Sequence, residues 1–322
     1  MIRPDVPVIG ASRFTEYDGS FLDFARAAAG AGFRLVELKI EPVPRRTSGP
    51  EEEALRALAR KEGIAFTVHA PYLSVNIGDL DDELFEEAKR AYADALSFAA
   101  RIEARTITFH AGKISREAWL PKTWDICRKR SIQGIAGILD SAPSSAPQAA
   151  VENLGQFTLE YVKYGVTVPE LLDIRRALGG RTGFTLDLGH LRSCRISPLT
   201  AARALGPETI FQAHLHSNGG DRDDHGPLSE HDGDLTAFLD AYARNGWTFP
   251  LTVEVRRWED LIASRDVLFR FFRRTPPGAA EGPEPIAGTD SPSGIVAPGK
   301  TAKSTVRDRR LGGQTAVQHP SD

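Results

Sequence analysis

Side chains able to hold a metal ion recur along the chain in short, widely separated motifs. His69 stands in Val68-His69-Ala-Pro-Tyr72, His110 in Phe109-His110-Ala-Gly112 and Glu152 in Val151-Glu152-Asn153. Further on come Leu186-Asp187-Leu-Gly-His190, His214-Leu-His216-Ser-Asn218, Asp223-Asp-His225 and Val253-Glu254. Each residue alone has an ordinary use: a histidine can be a satisfied core residue, Glu152 can cap a turn and Asp187 a helix. Taken together, imidazole and carboxylate without thiolate suit zinc, manganese, iron or cobalt better than calcium. The two cysteines, Cys127 and Cys194, are too few for a cysteine zinc finger or a disulfide framework and read as small buried thiols.

The elements that carry these motifs follow from hydrophobic pattern. Short apolar runs at Val6–Gly10, Leu35–Ile40, Ala65–His69, Thr106–His110, Ala149–Asn153, Phe184–Asp187, Ile210–Leu215 and Leu251–Val255 read as strands buried on both faces. A helical pattern follows each. Pro50 and Gly63 bracket the second helix, and Thr167 and Glu170 make a capping box for the fifth. Leu84, Ala88, Ala91, Ala95, Phe98 and Ile102 form an apolar stripe at helical spacing. Eight such units over residues 1–274 predict one domain, a closed α/β (β/α)8 TIM barrel. The alternative, a doubly wound open sheet, lacks its Gly-rich phosphate turn: Gly10-Ala-Ser-Arg-Phe follows the first strand. In a barrel the strand ends meet at one mouth. The third to the eighth strand each end in or beside a His, Asp or Glu, so distant residues face one another there.

Those motifs, over about residues 6–274, resemble the xylose isomerase-like barrel superfamily. The likeness is to the apurinic/apyrimidinic endonuclease family typified by endonuclease IV, and to the sugar-phosphate isomerase/epimerase-like proteins that share its motifs. The endonuclease resemblance implies up to three zinc-type ions. It puts His69, His110 and Glu152 on a first; Glu152 as a bridge, with Asp187, His214 and Glu254, on a second; and His190, Asp223 and His225 on a third. Such a site implies a metal-dependent phosphoester hydrolase, with three cations clamping a phosphate. The isomerase resemblance implies one manganese or magnesium ion on Glu152, Asp187, His214 and Glu254. In those enzymes glutamates beside the metal move the proton, here Glu152 and Glu254. A third class is a metal-binding barrel without catalysis. The family's Gly-Glu-Gly turn is replaced by Ser229-Glu230-His231, and His231 reads as a solvated loop residue.

The substrate expected is a small sugar phosphate or a nucleic-acid phosphodiester. Candidate contacts are Arg45 and Arg46 after the second strand, Lys113 after the fourth, Tyr72 for stacking, and His216 as an unassigned neighbour of the site. A net charge of −3 gives no global basic signal for nucleic acid or a membrane surface. The N-terminus has no apolar core of a signal peptide, no apolar run reaches membrane-spanning length, and no protein partner is indicated. A cytoplasmic protein is expected. Residues 275–322 hold seven Pro, seven Gly and no aromatic, and read as a disordered tail.

Overall fold

The computed structural model describes residues 7–274 apart from 15, 18, 42–48, 157–159 and 221. The expected tail, and with it any test of its disorder, lies outside them, as do Arg45 and Arg46. In chain order the elements are β1 (Ile9–Arg13), α1 (Phe21–Gly30), β2 (Leu35–Lys39), α2 (Gly49–Glu62), β3 (Ala65–His69), α3 (Asp82–Arg101), β4 (Thr106–Phe109) and β5 (Lys113–Ser115). There follow α4 (Pro121–Asp140), β6 (Gln148–Glu152), β7 (Tyr161–Lys163), α5 (Val168–Ala177), β8 (Thr182–Asp187), α6 (Leu188–Ser193) and α7 (Pro198–Leu205). The last are β9 (Ile210–Leu215), α8 (Gly233–Arg244), β10 (Leu251–Val253) and α9 (Trp258–Arg274).

Eight strands close in the order β1-β10-β9-β8-β6-β4-β3-β2, all parallel, with β1 bonded to both β10 and β2. This is a TIM barrel. The short strands β5 and β7 stand apart as an antiparallel ribbon. Helix ends obey local chemistry. Ser20 and Asp23 form a capping box on α1, and the expected Thr167/Glu170 box caps α5. Gly63 ends α2 with a left-handed φ of 64°.

The sequence reading departs from the structure in four places. β1 lies three residues later than its apolar run, because its central residues are Gly10, Ala11 and Ser12 rather than large apolar ones. The stripe on α3 begins at Ala88, since Leu84 in the first turn is 52% exposed. The short α6 and the three-residue ribbon strands went unread because neither completes two hydrophobic periods. The barrel interior is also more polar than an apolar-run reading implies. Along β2, Val36 and Leu38 join the hydrophobic cluster, whereas Glu37 and Lys39 point inward. Glu37 accepts from Ser12 Oγ (2.7 Å) and Gln212 Nε2 (2.6 Å), and Thr108 and Thr185 share a 2.7 Å hydrogen bond across the barrel. These groups make a polar floor beneath the mouth. Among the described residues no helix is long and apolar enough to cross a membrane.

The glycine of Phe109-His110-Ala-Gly112 has a packing reason. A Cβ there would lie 2.4 Å from Ser131 Oγ and 2.5 Å from Gly78 Cα, so the loops after β3 and β4 touch backbone to backbone. Gly112→Ala should therefore lower unfolding free energy by about 1–3 kcal/mol, the usual cost of overpacking. Urea denaturation measures it, and an unchanged midpoint would refute the close approach.

Candidate metal centre

Strand ends deliver the ligand-type side chains to one mouth, as expected. His69 is the last residue of β3, Glu152 of β6 and Asp187 of β8; His110 and Glu254 stand just past β4 and β10. His214 comes from within β9, and the loop after it supplies His216, Asp223 and His225. They fall into three groups in which the ligand atoms lie within 4.8 Å of one another. The first is His69, His110 and Glu152; the second is Glu152, Asp187, His214 and Glu254; the third is His190, His216, Asp223 and His225.

Glu152 joins the first two. Its Oε2 meets His69 Nε2 at 3.0 Å and His110 Nε2 at 2.8 Å, and its Oε1 meets His214 Nδ1 at 3.1 Å. Asp187 joins the second to the third. Its Oδ1 accepts from the His190 backbone N–H (2.7 Å), capping α6, and lies 3.1 Å from His216 Nε2. Its Oδ2 is buried with no hydrogen-bond partner. The capping and ligand readings of Asp187 are therefore compatible, one oxygen for each. Glu254 divides similarly: Lys39 Nζ pairs with Oε1, while buried Oε2 sits 2.7 Å from His214 Nδ1 without hydrogen-bond geometry. In the third group Asp223 Oδ1 and Oδ2 approach His225 Nε2 (3.1 Å) and His190 Nε2 (3.4 Å).

The far side of each ring fixes its tautomer. His69 Nδ1 lies 2.7 Å from the Ala70 carbonyl oxygen, His190 Nδ1 2.8 Å from that of Asn153 and His225 Nδ1 3.0 Å from that of Glu254. A carbonyl can only accept, so each Nδ1 carries hydrogen and Nε2 is the ring nitrogen turned to the site. His214 is reversed: its Nε2 meets Glu37 Oε2 at 3.0 Å and its Nδ1 faces the second group. This is the outer-shell arrangement of histidine metal ligands. With the orphaned oxygens of Asp187 and Glu254, it shows that the donors fit bound cations.

Charge points the same way. Four buried carboxylates, Glu37, Glu152, Asp187 and Glu254, face one buried ammonium, Lys39. Burial opposes charge on His190, but Asp187, Asp223 and Glu152 outweigh it and push its pKa up to about 10. His214 is raised likewise, against burial, by Glu254, Glu37 and Glu152. His110 goes the other way: burial brings it down to about 4 despite Glu152. Burial disfavours the charged form of Glu152, yet His214 and His110 hold its carboxyl well below the usual range.

The structure thus brings together all nine residues read as ligands and adds His216, whose ring stacks 3.9 Å from that of His225. Gly189 makes room for that ring, since a Cβ would sit 2.1 Å from His216 Cε1. Tyr72 and Lys113 line the same cavity of about 300 Å³, with Lys39, Lys163 and Tyr161. His231 is exposed and apart from the groups. Glu37, Lys39 and Glu41 were missed. Their signal is a period of two, Glu37-Leu-Lys39-Ile-Glu41, in which charges alternate with apolar residues on a strand that should be apolar throughout. Glu41 accepts from the backbone N–H groups of Tyr72 and Leu73, and so fixes the loop after His69.

A family model described as xylose isomerase-like TIM barrel matches residues 25–271, and the chain belongs to that family. An uncharacterized protein of Methanocaldococcus jannaschii is 21% identical over 221 residues, 68% of this chain and 73% of that protein. The solved structure of a D-tagatose 3-epimerase-like protein superposes with a TM-score of 0.72 at 20% identity, covering 83% of this chain and 97% of that one. Endonuclease IV from Thermus thermophilus superposes at 0.65 with 22% identity, over 83% and 100%. At such identities the likeness to these structures is one of fold.

Two outcomes follow. Glu37→Gln should weaken retention of a divalent metal ion about 10–100-fold, as loss of an outer-shell partner does. Competition with a chelator measures it, and unchanged retention would remove Glu37 from the metal's support. Because His190 titrates at about 10, its ring is protonated at neutral pH and an entering cation must expel that proton. Affinity for a divalent metal ion should therefore rise with pH through the neutral range. Calorimetry at pH 7 in buffers of different ionisation enthalpy should show net proton release, and a heat independent of buffer would contradict it.

Proposed function

We propose that the chain is a metal-dependent phosphoester hydrolase that works with three zinc-type ions. The observation that carries this reading is the sharing of ligands: Glu152 gives one oxygen to the first group and one to the second, and Asp187 ties the second to the third. A one-metal site has no use for the first and third groups. When bound, the ions neutralise phosphoryl charge and lower the pKa of water. The protein's part is to position and to exchange protons. His69 and His110 fix Glu152 Oε2 at the mouth, and Lys39 holds Glu254 by one oxygen so that the other faces the site. Glu254, lining the cavity, is the group placed to take a proton from an attacking water. Tyr72, its ring 4.5 Å from that of His110 and tilted 39° to it, offers a face to a sugar or base.

A second reading, a sugar or sugar-phosphate epimerase or isomerase with one manganese or magnesium ion, is favoured by one feature. The group Glu152, Asp187, His214 and Glu254 is complete and buried, and its two glutamates both line the cavity. Metal analysis separates the two. Near three zinc ions per chain, with hydrolysis of an abasic-site oligonucleotide or bis(p-nitrophenyl) phosphate, supports the hydrolase. Glu152→Gln should then cut the rate by at least about 100-fold. One exchangeable manganese with ketose epimerisation would falsify the hydrolase.

A further inference from the structure

The β5–β7 ribbon has no part in holding the three ligand groups, yet it walls their cavity. Its register sets Lys113 opposite Lys163 and Ser115 opposite Tyr161, so these four side chains share one face. Ile114, on the other face, is buried. Lys113, Lys163 and Tyr161 line the same cavity as Glu152, Asp223 and Glu254. Two lysines directly across a strand pair repel one another. Here they are also partly withdrawn from water, and burial lowers the pKa of both. Ile114 supplies the ribbon's packing on the opposite face. The base is rigid: the Asn76 side chain bonds both backbone groups of Lys113, at 3.0 Å from its N–H and 2.8 Å to its carbonyl. Tyr164 N–H, next to Lys163, donates to the Gly112 carbonyl at 2.8 Å. Lys113 Nζ lies 5.2 Å from the centre of the Tyr161 ring, so cation and aromatic face are presented together.

We infer that this face is an anion subsite: Lys113 and Lys163 together seat a phosphoryl group of the substrate, and Tyr161 packs on the sugar beside it. The inference rests on the reading of the mouth as a metal-bearing reaction site and narrows its substrate. The substrate carries a phosphoryl group beyond the atoms that react, either the terminal phosphate of a sugar phosphate or a neighbouring phosphodiester of a polynucleotide.

The test titrates inorganic phosphate, ribose 5-phosphate and a short oligonucleotide with one abasic site into the zinc-loaded full chain. Wild type is compared with Lys113→Gln/Lys163→Gln, and zinc content is measured on the same samples. The phosphate dissociation constant should rise at least about tenfold in the double variant at unchanged zinc content, the loss of charge-assisted hydrogen bonds. Lys113→Arg/Lys163→Arg should keep it within about threefold of wild type. A parallel loss for ribose 5-phosphate marks the sugar-phosphate source; a parallel loss for the oligonucleotide, with a shallower salt dependence, marks the polynucleotide source. All three probes binding the Gln variant as tightly as wild type overturns the subsite. If the double variant loses zinc through misfolding, Lys113→Gln alone is read by the same criteria. Wild-type protein that takes up no zinc but still binds phosphate through these lysines would defeat the metal reading and leave the subsite standing.

Discussion

The mouth of this barrel is organised by the way one buried carboxylate divides its two oxygens. Glu152 gives Oε2 to His69 and His110 and Oε1 to His214. An ionised carboxylate so far from water is costly unless positive charge or donors surround it. Two of these neighbours, His69 and His214, are themselves buried and have a partner behind the ring. His214 leans on Glu37, Glu37 on Ser12 and Gln212, and Gln212 Nε2 reaches Thr108 at 3.0 Å. The polar floor is the continuation of that chain of requirements. It replaces the branched apolar layer that usually fills such a barrel.

That replacement explains how the fold divides its labour. Apolar burial sits between the strands and the surrounding helices, where Phe66, Phe109, Phe184 and Phe238 are fully covered. The interior is free to be polar because stability comes from outside it. The motif glycines belong to the same division. Gly112 and Gly189 let backbone or ring approach closely behind the ligands, so each ligand rests against something that cannot retreat.

The eight-unit barrel was legible because strands buried by helices are continuous apolar runs and their order needs no long-range information. The nine ligand-type residues were legible because strand ends in a barrel converge. What stayed hidden has a common cause. Glu37 and Lys39 are recognised only once it is known that odd positions of β2 face inward, since Leu35, Val36, Leu38 and Ile40 mask them in a run that scans as apolar. His216 read only as an unassigned neighbour of the site, for nothing in a His-Leu-His spacing says that the second ring turns to Asp187 and stacks on His225. The ribbon was invisible because three-residue strands paired across nearly fifty residues leave no periodic trace.

The three ligand groups are anchored unequally. The first two hang from strands locked into the barrel. The third depends on Asp223 and His225, in a loop tied by hydrogen bonds between Ser217 and Gly226, at 2.9 and 2.8 Å, from Asn218 to the Gly189 carbonyl, at 3.0 Å, and from His225 Nδ1 to the Glu254 carbonyl, at 3.0 Å. His225 itself holds a left-handed φ of 47°, a conformation that costs a non-glycine residue about 1 kcal/mol or more. Local opening begins where few bonds hold and strain is stored. The third group is thus the one whose support is a loop carrying a strained residue, and an occupant there would exchange with solvent before one enclosed by strands.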